Sequence, residues 1–229
     1  MGVVYLNIIA EPLSRLMHLV YDLVGHYGIS IIVFTVIVKL LMIPLTVKQA
    51  KSMKNMQEIQ PKINEIQKQY KNDKEKMNQK VMELYKEHNV NPMGGCLPLL
   101  IQFPIIIGLF TVLRTPEEYG FAKEVVDAGF LWMSSMMEPD PWILPLLAGI
   151  TTFISSKTMQ TKPGTGNPQQ ESMQKMMLYF FPVMIAWMGR TFPAGLTLYW
   201  VVSNVFQAGQ QMVINGPAAI LPGKRSDKK

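Results

Sequence analysis

One lysine stands near the middle of a stretch that otherwise carries no charge. Lys39 falls within residues 29–47, a run long enough to cross a bilayer. A lysine at the centre of a membrane helix costs about 2.5 to 3.5 kcal/mol, so a plain anchor would carry leucine there. An ionisable group at that depth marks a functional site. No Asp or Glu occurs in this run or in the other long apolar runs, 97–113, 142–156 and 176–214, so none of them offers Lys39 an opposite charge. A hydrated ammonium group is suited to receive a polar or acidic stretch of another polypeptide for a short time.

The remaining polar residues of the apolar runs recur at helical spacing. Thr35 lies four residues before Lys39, and Thr152 and Ser155 are three apart. Trp200, Asn204, Gln207 and Gln211 step by four, three and four. Each set forms one stripe along a helix. Facing stripes, with Gln102 from a further run, would build a wet, positively charged hollow. Thr, Ser, Asn and Gln also tie membrane helices together, and that packing role remains open for Thr152, Ser155 and Asn204.

Several chemistries lack their residues. The single Cys96 forms no internal disulfide and says nothing of the redox compartment. His18, His26 and His88 lie in different segments, which argues against a shared metal site. Coupled transporters usually carry membrane carboxylates, and intramembrane proteases need a nucleophile with its base or two aspartates. Gly94-Gly95 and the other glycines fit no phosphate-binding fingerprint, so no cofactor is expected. The pattern points away from enzymatic catalysis.

The elements that must position these residues separate into apolar and charged blocks. Apolar residues make up 48% of the chain and 18 are Met, yet 22 Lys and Arg and 16 Asp and Glu are also present. Segregation on this scale indicates an integral membrane protein with a charged part outside the bilayer. Residues 1–26 predict an amphipathic helix lying in the interface, with Leu13, Leu16, Met17, Val20 and Val24 on one face. The N-terminus shows no leader pattern, so a native precursor is expected to carry a targeting segment, and Leu6 stands where a myristoylation signal needs Ser or Thr.

A first span covers 27–47. Segment 48–91 carries ten lysines against six acids, with apolar residues at three- and four-residue steps on either side of 71–73. It predicts a helical hairpin, kinked at Pro61, that serves as a spacer or as a docking arm. Four further spans occupy 92–215, the last two joined by a tight turn at 190–195, and a basic tail follows at 216–229. The hairpin, the loop with Lys157, Lys162 and Lys175, and the tail fall on one side of this five-span path. Acid-rich 115–140 falls on the other. The positive-inside rule then puts the hairpin and C-terminus in the cytoplasm and the N-terminus outside.

Particular runs resemble one family. Residues 91–105, Asn-Pro-Met-Gly-Gly-Cys-Leu-Pro-Leu-Leu-Ile-Gln-Phe-Pro-Ile, resemble the opening of the second core span of the YidC/Oxa/Alb membrane-protein insertases. Residues 192–204, Phe-Pro-Ala-Gly-Leu-Thr-Leu-Tyr-Trp-Val-Val-Ser-Asn, resemble the start of their last span. Tyr27-Gly28-Ile29-Ser30-Ile31-Ile32 with Pro44-Leu45 is similar to the first span, and Gln60-Pro61-Lys62 to the hairpin. These runs cover nearly the whole chain in the right order. The short stretch before Tyr27 is similar to the Gram-positive-type form.

The resemblance implies an all-α membrane protein of the bacterial plasma membrane, with five transmembrane helices around a hydrophilic groove open to cytoplasm and lipid. It implies an insertase and chaperone for nascent membrane proteins that needs no nucleotide hydrolysis. Ribosomes, the Sec translocon and signal-recognition components are its implied partners, beside membrane lipid. The family's groove arginine is replaced here by Lys39, which keeps the charge but loses the bidentate guanidinium. Thr35 matches a substrate-contacting position, Trp200 an aromatic that flanks the groove beside Tyr199, and Ser155 a position where related short forms have glutamine. The expected groove set is therefore Lys39, Thr35, Gln102, Thr152, Ser155, Trp200, Tyr199, Asn204 and Gln207. From the residues alone, a small-solute or anion channel and a cargo-free scaffold are the rival classes.

Overall fold

A computed structural model describes residues 2–90, 97–159 and 168–215. Their regular structure is helical, apart from an isolated bridge between Phe130 and Met133. Helix α1, Gly2–Val24, ends at Gly25, whose φ of +71° favours glycine and whose N–H bonds the Tyr21 carbonyl at 2.7 Å. Its Ala10, Ser14, Met17 and Val20 are buried, at steps of four, three and three, because α1 packs along α4 (Leu97–Arg114) and beside α2 (Tyr27–Gln69).

Helix α2 runs 43 residues without a break, about 65 Å at the standard rise. The expected boundary between the first span and the hairpin, near residue 47, is absent. The span continues directly into the first arm, carried through both Pro44 and Pro61. Each proline removes one backbone donor, but neither ends the helix. Helix α3, Lys74–Glu87, returns along it after an N-cap in which Asp73 accepts from the Lys76 N–H at 3.0 Å. Ile59, Ile63, Leu84 and Val90 form a small core of their own there, flanked by Met56, Ile66, Val81 and Tyr85.

Beyond α4, residues 115–142 fold as a cap over one end of the bundle. A 3-10 turn, Pro116–Tyr119, and the short α5, Lys123–Val126, lie within it. Asp140 ties the cap to α6, Ile143–Met159. One carboxylate oxygen accepts from the N–H groups of Trp142 and Leu144 at 2.9 and 3.1 Å, and the other from Trp132 Nε1 at 2.7 Å. Two of the orphan donors at the start of α6 are thereby satisfied. The cap does the same for α9, Ala194–Asn215: the N–H groups of Ala194 and Gly195 reach the carbonyls of Glu138 and Met136. His18 of α1 stacks on Phe121 at 3.8 Å and bonds the Tyr119 carbonyl at 2.7 Å.

Between α6 and α9 the chain passes through α7, Pro168–Lys175, a π-helical turn, Met176–Phe180, and α8, Phe181–Met188. Pro182 has no N–H to return to residue 178, and the widened turn lies across that gap. Helix α6 packs between α8 and α9, and α9 packs in turn on α2.

Among the described residues one helix, α2, is by itself long and apolar enough to cross a membrane, while 103–114 and 143–159 form shorter apolar helices. The glutamines and Asn204 lower the hydropathy of α9, and α8 is only eight residues long. The outward surface nevertheless carries Leu41 at 71%, Val183 at 68%, Trp187 at 70% and Val213 at 86% exposure. Exposed apolar groups of this number fit a surface solvated by hydrocarbon.

Gly28 permits the cap to close on α2. A Cβ there would lie 2.4 Å from the Phe130 ring. Gly28→Ala is therefore expected to displace Phe130, cost about 1 to 3 kcal/mol as overpacking does, and speed proteolysis within 121–141. Adding Phe130→Ala should reverse much of the faster cleavage.

Candidate functional site

The site is built on three helices. On α2, steps of four, seven and three keep Thr35, Lys39, Thr46 and Gln49 within about 80° of the helix circumference. Thr35 is fully buried and donates its hydroxyl to the Ile31 carbonyl at 2.6 Å, the usual back-bond of a helical threonine. Lys39 is 9% exposed. No described residue forms a hydrogen bond or ion pair with it. Among the described residues, the sealed side-chain polar atoms without partners are His26 Nδ1 and Tyr27 OH.

Helix α9 presents different faces to its two neighbours. Trp200 Nε1 and Asn204 Nδ2 both donate to Thr152 Oγ1 of α6, at 3.0 and 2.9 Å, while that hydroxyl donates to the Ala148 carbonyl at 2.6 Å. The Thr152 hydroxyl thus gives one bond and receives two. One turn on, Gln207 Nε2 lies 2.8 Å from Met159 Sδ of the same α6. Ser155 is buried on α6, and the Ser155 carbonyl accepts from Thr158 Oγ1. Toward α2, Gln210 donates to Thr46 Oγ1, whose proton is directed at the carbonyls of Met42 and Ile43. Tyr199 is buried at the start of α9 in the main core cluster. Trp200 also borders a small apolar cavity with Ile185, Phe192 and Leu196.

Of the residues singled out by spacing, Thr152, Trp200 and Asn204 meet directly and Gln207 joins them through Met159. Thr35 and Lys39 share one face of α2 without bonding to that group. The Gln102 side chain lies outside the described residues, as does the run 91–96. Sequence analysis passed over Thr46 and Gln210. The available signal was the seven-residue step from Lys39 to Thr46, which continues the Thr35–Lys39 stripe. Within the apolar stretches 29–47, 143–156 and 194–215, Lys39 is the one charged side chain, and the other polar groups are neutral amides, hydroxyls and an indole.

This fold is a helical bundle in which one helix is long and apolar enough to cross a membrane, and that helix carries a lysine with no ion-pair partner among the described residues. Residues 19–219 match the family model described as 60Kd inner membrane protein. The chain is 42% identical over 209 residues to the membrane protein insertase YidC of Fusobacterium nucleatum, covering 91% of this chain and 95% of the relative. It is 42% identical over 217 residues to the YidC of Caldanaerobacter subterraneus, covering 94% and 98%. The YidC of Citrifermentans bemidjiense is 41% identical over 212 residues, but this chain spans only 37% of that relative's length. A crystal structure of an active YidC insertase with its first transmembrane domain resolved superposes with a TM-score of 0.65 at 27% identity, over 89% of this chain and 45% of that one. The chain belongs to the YidC family of 60Kd inner membrane proteins.

Thr152→Val keeps the shape but leaves Trp200 Nε1 and Asn204 Nδ2 without their acceptor. Hydrogen bonds between membrane helices average about 0.6 kcal/mol and reach about 1.7. Thermal unfolding in detergent should show a lower Tm by about 2 to 6 °C, while Thr152→Ser stays close to the parent.

Proposed function

We propose that this protein inserts nascent membrane proteins into the bacterial plasma membrane and assists their folding, through a hydrophilic groove that contains Lys39. Five spans enclose this groove: residues 27–47 of α2, then α4, α6, the α7–α8 segment and α9. The groove opens toward the cytoplasm and the lipid, with the N-terminus outside, the hairpin of α2 and α3 in the cytoplasm and the cap over the outer end. Helix α1 lies at the outer interface. Residues 1–26, 27–47 with 92–215, 48–91 and 216–229 serve as interfacial helix, membrane core, cytoplasmic hairpin and basic tail. The observation that carries this reading is Lys39 itself, 9% exposed and without a hydrogen-bond or ion-pair partner among the described residues. The names of the relatives that this chain matches along nearly their whole length support it.

The physical task is to carry a short hydrophilic tail past hydrocarbon, where bare backbone and charge are costly. A hydrated groove shortens the apolar distance. The ammonium of Lys39 offsets part of the desolvation of acidic residues in the tail. Thr35, Gln102, Thr152, Ser155, Tyr199, Trp200, Asn204 and Gln207 line the path of the incoming chain. Its apolar helix moves along the exposed apolar faces of the bundle into lipid. Binding through one point charge is modest, so release needs no nucleotide. Seventeen-residue α6 is about 25 Å long and favours a locally thinner bilayer.

The hairpin is the contact for ribosomes, signal-recognition components or anionic lipid, with the Sec translocon as a further partner. In support, its lysines are mostly unpaired with acids among the described residues, Lys80 with Glu83 at 2.6 Å being the exception. Screened attraction of this kind weakens with salt.

In vesicles reconstituted with purified protein, Lys39→Ala and Lys39→Glu are expected to lower insertion of substrates with acidic tails by about tenfold, the scale of one charge-assisted hydrogen bond, and to spare neutral tails. Lys39→Arg should insert both. Equal insertion by all three variants contradicts the role.

A further inference from the structure

We infer that Thr46 and Gln210 form a latch between α2 and α9 that controls entry to Lys39 from the hairpin side. The inference rests on the proposed role of Lys39, and the observations behind it are independent of cargo. Thr46 lies on the Lys39 face of α2, about 10 Å further toward the hairpin. It is half-buried, and Gln49 one turn on is buried. Gln210 reaches Thr46 from α9. This hydrogen bond links α2 to α9 through single side chains, whereas three such bonds gather on the α6 face of α9.

The asymmetry decides which contact opens. Thr152 collects both donors of the α6–α9 knot, so parting α6 from α9 strands an indole N–H and an amide together. Parting α2 from α9 at Thr46 strands the single amide of Gln210. At that depth it turns to face the water or the peptide that enters, and the Thr46 hydroxyl keeps its bond to the helix backbone. Helix α2 also continues unbroken into the hairpin, so a load placed on the hairpin is transmitted along one rod to this contact. The entering polypeptide replaces the Gln210–Thr46 bond with bonds of its own and then meets the ammonium.

The test uses the full chain in vesicles with Cys96→Ser, and Lys39→Cys as a reporter for a membrane-impermeant maleimide. Thr46→Val and Gln210→Ala, made separately, should each speed alkylation of the reporter by about three- to tenfold, and Thr46→Ser should leave it unchanged. A second reporter, Ala148→Cys in the buried face of α6, should show no change in any of them. Unchanged labelling at position 39, or faster labelling at both reporters, overturns the latch. Because no substrate is present, a failure of the Lys39 insertion role would leave this result intact, and the two outcomes are told apart.

Discussion

An ammonium group drawn into a helix bundle with no carboxylate opposite it cannot be left dry. The desolvation of a lone charge in a low-dielectric interior far exceeds what packing returns, so the group keeps its charge only where the surroundings supply water, dipoles or a visiting charge. Lys39 is in this position: it is 9% exposed and has no hydrogen-bond or ion-pair partner among the described residues. The bundle around it is held differently at its two ends. The cap of residues 115–142 holds the starts of α6 and α9 through Asp140, Met136 and Glu138, so this end of the bundle is braced by backbone hydrogen bonds. At the other end, α2 simply continues outward as the first arm of the hairpin.

Helix α9 reconciles two demands on a membrane helix. It carries a stripe of polar side chains, and it must still pack. One face meets α6 through Thr152 and Met159, and the neighbouring face meets α2 through Thr46. Such bonds are worth less between membrane helices than intuition suggests, since separated helices find other partners. Meanwhile the outward faces of α2, α6, α8 and α9 expose leucine, isoleucine, valine and tryptophan.

Helix positions were legible because apolar runs and turn signals are local properties of a chain. The breaks at Gly25, at 71–73 and at 190–193 fall where glycine, charge and proline predict them. The continuity of α2 was not legible. Pro44, Pro61 and the change of composition at Lys48 each resemble a boundary, yet the helix runs through all three. The stripe Trp200, Asn204, Gln207 did indicate a shared face, but not its partner. Only the fold places Thr152 and Met159 against it, because sequence separations of 48 and 52 residues leave no periodic trace. Thr46 and Gln210 are 164 residues apart and were hidden for the same reason. Family membership, by contrast, was readable from the runs at 91–105 and 192–204, and the matched residues 19–219 contain both.

Contact between the Lys39 ammonium and an acidic side chain in transit can be captured directly. A zero-length carbodiimide reagent joins an amine to a carboxylate only when the two touch. Applied to vesicles holding the protein and a stalled nascent chain with an acidic tail, followed by peptide mass mapping, it should yield an amide between Lys39 and the tail. Adducts confined to hairpin lysines, with Lys39 unmodified, would contradict the account.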